Sequence, residues 1–347
     1  MHEIDQLFNT LINKNGSDLH LEEGQKPKIR IYGTLVEVGS EVLTRERMTA
    51  LLLPLAPKED WQEFETRGDL DFAYSFGQQG RFRANYYRHF FGFGAVFRLI
   101  PSKILTLEDL DLPPRIKDFA KWRSGLILVT GPTGSGKSTT LAAIIDYINA
   151  NFTKKIITIE EPVEFTHTNK KSLISHREVG KDTESFASGL RTAIKSDANI
   201  ILVGEMRDRE TIELALTASE MGILVFGTLH TNSAAKTIDR IIDAFPLNRK
   251  NQIRTVLANC LKAIIAQQLL PSVKKDRRWA AYEILIRNQA LGNIIQAGET
   301  MRLTSEIQTN RGQGMILMDD SLMELVNAKK VSKEDAFLKA IDKSKFA

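Results

Sequence analysis

Between the apolar run Leu126-Ile127-Leu128-Val129 and a helical pattern from Ser138 to Ala150 stands Gly131-Pro132-Thr133-Gly134-Ser135-Gly136-Lys137-Ser138, with Thr139 following. This is a complete glycine-rich phosphate loop of the Walker A pattern. Each residue type has a physical reason. Glycines open backbone angles that let successive N–H groups wrap phosphate oxygens. The helix behind the loop turns its positive end toward the same anion. Lys137 reaches the β- and γ-phosphates of ATP, and the Ser138 hydroxyl ligates Mg²⁺. A strand before the loop and a helix after it set this match apart from a chance glycine-rich turn.

Continuous apolar runs recur at Ile156–Ile159, Ile200–Val203 and Leu224–Phe226, as expected of parallel strands buried on both faces. Helical patterns separate them, notably Asp208 to Glu220. The alternation predicts an α/β sheet of the RecA-like P-loop class. In such sheets ligands bind at the strands' carboxyl ends, and two acids stand there. Glu160 closes Thr158-Ile159-Glu160 and is the candidate for polarising the attacking water. Glu205 follows Leu202-Val203-Gly204 as a Walker B acid and is the candidate for the Mg²⁺ shell. The plainer role for either glutamate is a helix-terminus charge, contributing only about 0.3–1 kcal/mol. His230, after Phe226–Leu229, is a candidate γ-phosphate sensor. His2, His20, His89, His167 and His176 lack ligand spacing, so no zinc is expected.

Residues 1–100 read as a separate α+β domain. A helix over Ile4–Ile12 stops at Asn15-Gly16. Alternating runs at Lys28–Tyr32, Leu70–Tyr74, Arg81–Tyr86 and Gly94–Leu99 predict an antiparallel sheet. Arg81, Arg83 and Arg98 lie in these strands. Solvated strand arginines are the default, and they are also candidates for the charge that an arginine finger brings to phosphoryl transfer. Residues 101–118 read as a linker, leaving 119–347 to the ATPase domain and a tail that is mostly helical after Lys274, clearest at Asp319–Asn327. The basic cluster Lys274–Arg278 reads as a hairpin turn.

Composition narrows the function. The 47 basic and 43 acidic residues leave a net charge of +4, too small to point to nucleic acid. One cysteine, Cys260, permits neither an internal disulfide nor a thiolate zinc cage, as expected in a reducing cytosol. The start at Met1-His2-Glu3 lacks signal-peptide character, and no apolar run approaches the roughly 20 residues of a membrane span. Any membrane role is expected to come through a partner.

With these residues in view, the chain resembles the type IV pilus retraction (twitching motility) ATPases of the secretion ATPase superfamily. Gly16-Ser17-Asp18-Leu19-His20 is similar to the family's N-terminal signature, and Gly80-Arg81-Phe82-Arg83 to its arginine strand. Thr158 to Phe165 resembles its acidic box, Gly204 to Asp208 its Walker B, and Gly227 to Thr231, continuing through Asp239–Pro246, its histidine box. The resemblance implies a PAS-like N-terminal domain, a RecA-like domain, a hexameric ring and a cytoplasmic motor docked on an inner-membrane pilus platform protein. Two of the chain's motifs depart from the pattern. Glu161 stands where aspartate is usual, and Gly292 and Gln296 replace arginines of a retraction-linked motif, which opens an accessory role. A pilus assembly or type II secretion ATPase, a DNA translocase and a non-hydrolysing scaffold are the competing functions for such a chain.

Overall fold

The computed structural model describes residues 3–31, 33–77, 79–100 and 103–346, so Met1, His2, Tyr32, Gln78, Pro101, Ser102 and Ala347 lie outside the described residues. The chain divides into two compact units, Met1–Lys103 and Ile104–Ala347. Each is described by itself.

The first unit opens with α1 (Glu3–Asn13), whose Ile4, Leu7, Phe8 and Leu11 repeat every three to four residues and are buried. Asn15, at φ 52°, turns the chain out of the helix. The strands β1 (Asp18–Glu22), β2 (Lys28–Ile31) and β3 (Thr34–Glu37) follow, then the helices α2 (Arg45–Leu52) and α3 (Lys58–Arg67). The strands β4 (Asp69–Phe76), β5 (Gly80–His89) and β6 (Gly92–Ile100) complete a six-stranded sheet in the order β3-β2-β1-β6-β5-β4, every pair antiparallel. Strand β5 alternates strictly. Phe82, Ala84 and Tyr86 are buried, while Arg81, Arg83 and Asn85 face the other way. The Phe8 ring stacks on Phe82 at 4.2 Å and meets Phe97 edge-on at 5.1 Å, which clamps α1 to the sheet. Strands β1 and β3 are too short to show a clear alternation in sequence, and neither was expected.

The second unit begins earlier than a linker over 101–118 would allow. Leu107, Leu112 and Ile116 are buried in its core, so the stretch from Ile104 to Asp118 belongs to it rather than bridging to it. After the single turn α4 (Ile116–Phe119) come β7 (Gly125–Thr130), α5 (Lys137–Asn151), β8 (Lys155–Glu160), β9 (Leu173–Glu178), α6 (Phe186–Lys195), β10 (Ile200–Val203), α7 (Arg209–Glu220), β11 (Leu224–Leu229), α8 (Ala234–Asp243) and α9 (Lys250–Cys260). Two further strands, β12 (Leu261–Pro271) and β13 (Arg278–Ile286), precede α10 (Gln289–Ala297), α11 (Leu303–Thr309), α12 (Met318–Asn327) and α13 (Lys333–Lys339). The sheet runs β13-β12-β7-β11-β10-β8-β9, parallel except for the β12–β13 pair. Every residue of β7, β10 and β11 is buried, as their unbroken apolar runs predict.

The tail departs from expectation at β13, which is strand where mostly helix was expected. Its Ala280-Ala281-Tyr282 stretch carries no period that separates strand from helix, and pairing with β12 decides the matter. The basic cluster does fall in the turn of this hairpin. Arg277 of this turn and Lys330, just after α12, pack on the Trp279 ring, at 4.0 and 3.9 Å from its centroid. Gly292 and Gln296 sit on α10, with Gln296 exposed. Among the described residues no helix is long and apolar enough to cross a membrane.

Candidate active site

The loop after β7 is built against β12. Gly131 adopts φ 147°, and a Cβ there would stand 2.3 Å from the Gln267 carbonyl oxygen and 2.5 Å from Ser135 Oγ. No side chain fits, and the φ itself favours glycine. Gly134 and Gly136 also adopt positive φ, at 77° and 89°. Gln267 braces the loop further by accepting a 2.7 Å hydrogen bond from Thr140. Nothing in the sequence marks it, because only the β7–β12 pairing brings residue 267 to the loop.

The loop presents donors to an anion. Helix α5 starts at Lys137 with no side-chain cap, so its first N–H groups point toward the loop without an internal acceptor. Ser135 Oγ is buried and has no hydrogen-bond partner among the described residues. Pro132, Thr133 and Gly134 are exposed at the rim, whereas Ser138 and Thr139 are half-buried on the first turn. Lys137 Nζ donates to the carbonyls of Gly131 at 2.9 Å and Pro132 at 3.1 Å. Burial holds its ammonium below the usual lysine range, against the pull of Glu205 and Glu164. A buried ammonium resting on its own loop carbonyls, beside an orphaned hydroxyl and uncapped N–H groups, fits a polyphosphate.

Glu160 ends β8 and Glu205 stands two residues past β10, so both acids reach the carboxyl edge of the sheet, as predicted. Glu160, Ser138, Thr158, His167, Gly204 and Thr228 line a cavity of about 30 Å³, with apolar walls from Leu141 and Phe165. That volume suits a single water with polar partners on several sides. Glu205 is engaged differently. Arg207 Nη2 lies 2.7 Å from its carboxylate and His230 Nε2 3.1 Å. Burial alone would raise its pKa, but Arg207, then His230 and Lys137, outweigh that and hold it below the usual carboxylate range. Arg207 also approaches Glu161 at 3.7 Å. The histidine-box residue His230 is thus joined to the Walker B acid, a link the sequence could not display.

Three further groups carry no signal in the sequence. Glu178, at the end of β9, accepts from the Val163 N–H at 3.1 Å and pins the chain just after Glu160. Glu283 on β13 is buried and accepts from the Ala234 N–H at 2.7 Å, at the start of the helix that follows His230. Burial raises its pKa against hydrogen bonds from Ala234 and Met318. His167 and His176, which lack ligand spacing, stack with centroids 5.7 Å apart beside Glu160.

In the first unit, Arg83 and Arg98 are register partners on the sheet face away from the core, and Arg81 shares that face. Arg98 Nε donates to Asp18 Oδ1 at 2.8 Å, while Arg83 comes only to 3.9 Å of Asp71. Arg98 is therefore committed within its own sheet, and Arg83 is the freer guanidinium of this pair.

A parallel sheet with a phosphate loop at its carboxyl edge and two acids beside that loop defines a P-loop nucleoside triphosphatase. Residues 1–335 match the family described as Type II/IV secretion system protein. The chain belongs to this family and is one of its ATPases. It is 44% identical over 338 residues to the type IV pilus retraction ATPase PilT of Pseudomonas aeruginosa, covering 97% of this chain and 98% of that protein. It is also 44% identical over 310 residues to the twitching motility protein of Neisseria gonorrhoeae, covering 89% and 83%. Among solved structures, the pilus retraction motor PilT with bound ADP superposes with a TM-score of 0.90 at 41% identity, covering 99% of both chains. The expected resemblance to twitching-motility ATPases is met over the whole chain rather than at the loop alone.

Proposed function

We propose that this ATPase is the motor that retracts type IV pili, working as a hexameric ring in the cytoplasm against an inner-membrane platform protein. Full-length similarity to retraction ATPases, in both units, is the observation that carries this reading. Lys137 and the loop N–H groups hold the β- and γ-phosphates of ATP. Ser138 and Glu205 would hold Mg²⁺, which would supply charge neutralisation on those phosphates. Glu160 receives the proton of the attacking water as the new P–O bond forms and the β–γ bridge breaks, leaving ADP and phosphate. His230, through Glu205, reports which of these states the site is in. One of Arg81, Arg83 and Arg98 supplies positive charge to the nucleotide of another subunit, and Arg83 is favoured over Arg98, which Asp18 holds.

The test is a strain carrying Lys137→Ala in place of the natural gene. Loss of phosphate gripping should abolish turnover, and pili should stay abundant on the surface while twitching stops. Bald cells would instead favour an assembly motor, and normal twitching would sink the retraction reading. Gly292 and Gln296 favour a second reading, an accessory retraction motor. That reading predicts that twitching is weakened rather than lost.

A further inference from the structure

Thr158 and Glu160 share one face of β8, and the parallel register of β9 sets His176 beside Thr158 and Glu178 beside Glu160. Both ring nitrogens of His176 are engaged. Nε2 lies 3.0 Å from the backbone nitrogen of His167, a group with only a proton to give. In this arrangement Nε2 accepts, and the ring proton sits on Nδ1. That nitrogen is 2.9 Å from Thr158 Oγ1 and 3.9 Å from Glu160 Oε1. The His167 ring lies nearly parallel to His176, at 12°, and lines the cavity that Glu160 lines. Burial, the largest cause, brings the pKa of His167 down to about 4. It is uncharged near neutrality. Two stacked imidazoles, His176 on the edge strand β9 and His167 in the stretch before it, thus form a wall beside the acid.

We propose that His176 is a positioning residue for Glu160. Its Nδ1–H, aimed by the His167 N–H, donates to Thr158 Oγ1, and the ring fixed in this way stands 3.9 Å from the Glu160 carboxylate and limits the directions it can take. An uncharged neighbour suits a general base better than a lysine or arginine in the same place. A full positive charge would stabilise the carboxylate and weaken its pull on the water proton, whereas a neutral ring confines it at less cost in basicity. This role rests on the assignment of Glu160 as the base.

The experiment uses the full chain and measures ATP turnover, affinity for a fluorescent ADP analogue and thermal unfolding. His176→Phe keeps the ring stack and removes both nitrogens. It should lower kcat on the order of 10- to 100-fold, the scale of a misplaced catalytic group, with KM and ADP-analogue affinity within about twofold of wild type. His176→Asn restores an N–H at the δ position and should recover most of that rate. In the Glu160→Gln background His176→Phe should cost nothing further. Wild-type kcat in His176→Phe overturns the proposal, as does an asparagine variant no faster than the phenylalanine one. A further loss in the Glu160→Gln background also overturns it, because His176 would then act elsewhere. Full activity of Glu160→Gln by itself sinks the base assignment, and that result is read without touching His176. If His176→Phe unfolds at the assay temperature, His176→Leu takes its place with the same expected loss.

Discussion

Glu160 and Glu205 are the same residue type at the same edge of one sheet, yet their surroundings part them. Glu160 faces a cavity of one-water size with the His176 ring 3.9 Å away, while Glu205 is gripped by Arg207 and His230. Their amide variants should therefore fail in different ways. Glu160→Gln should bind nucleotide normally and lose hydrolysis by on the order of 10²- to 10⁴-fold, the usual contribution of a positioned base. Glu205→Gln should raise the Mg²⁺ concentration that supports half-maximal turnover, because a carboxylate charge is lost from the metal's surroundings. A phosphate-release assay titrated with Mg²⁺ separates them. Normal hydrolysis by Glu160→Gln would mean that the base lies elsewhere. Both glutamates are visible in the sequence as acids ending apolar strands. The partners that make them different are not, because Arg207, His230 and His176 meet them only through strand order.

At the scale of elements, β1 and β6 are tied by a charge as well as by the ladder. Asp18 has a side chain only 7% exposed and takes the Arg98 Nε–H at 2.8 Å and the Ser17 hydroxyl at 2.7 Å. Burial pushes its pKa up, but these donors outweigh burial and hold it below 3.8. A depressed carboxylate contributes stability above its unfolded value and loses that contribution as pH falls through the folded value. Asp18→Asn should thus destabilise the chain at pH 7 by about 1 kcal/mol, the net scale of one hydrogen bond, since the amide oxygen still accepts. The gap to wild type should hold down to about pH 5 and close below 3.8. Urea denaturation across that range measures it, and a gap independent of pH would rule out the charge as its source. The same pair shows why the strands are unevenly legible in the sequence. Strands β7, β8, β10 and β11 announce themselves because both faces are apolar, and β5 because its alternation is strict. The strands β1, β3, β9 and β13 are specified by the neighbours they pair with, contacts that the local pattern of residues does not display.

For the molecule as a whole, the consequential question is whether one subunit suffices. No arginine adjoins Lys137 in the loop, and phosphoryl transfer in motors of this class gains on the order of 10³ to 10⁵ from such a charge. Arg83→Ala and Glu160→Gln proteins, each inactive alone, should regain part of their activity when mixed into common rings. Mixed rings that stay inactive, or monomers at full specific activity, would refute sharing between subunits. The buried carboxylate of Glu283 bears on how such a machine is cut and studied. It accepts one N–H from the helix after His230 and another from Met318, the first residue of α12, while Ile284 exchanges both backbone hydrogen bonds with Ile316. Glu283 thus ties the start of the C-terminal helices to the helix that follows His230, beside the backbone bonds of Ile284 and the Tyr282 N–H to Ser321 bond. A fragment trimmed to the parallel sheet would leave that acid without one of its two anchors, so the smallest piece worth purifying as an ATPase extends past residue 318.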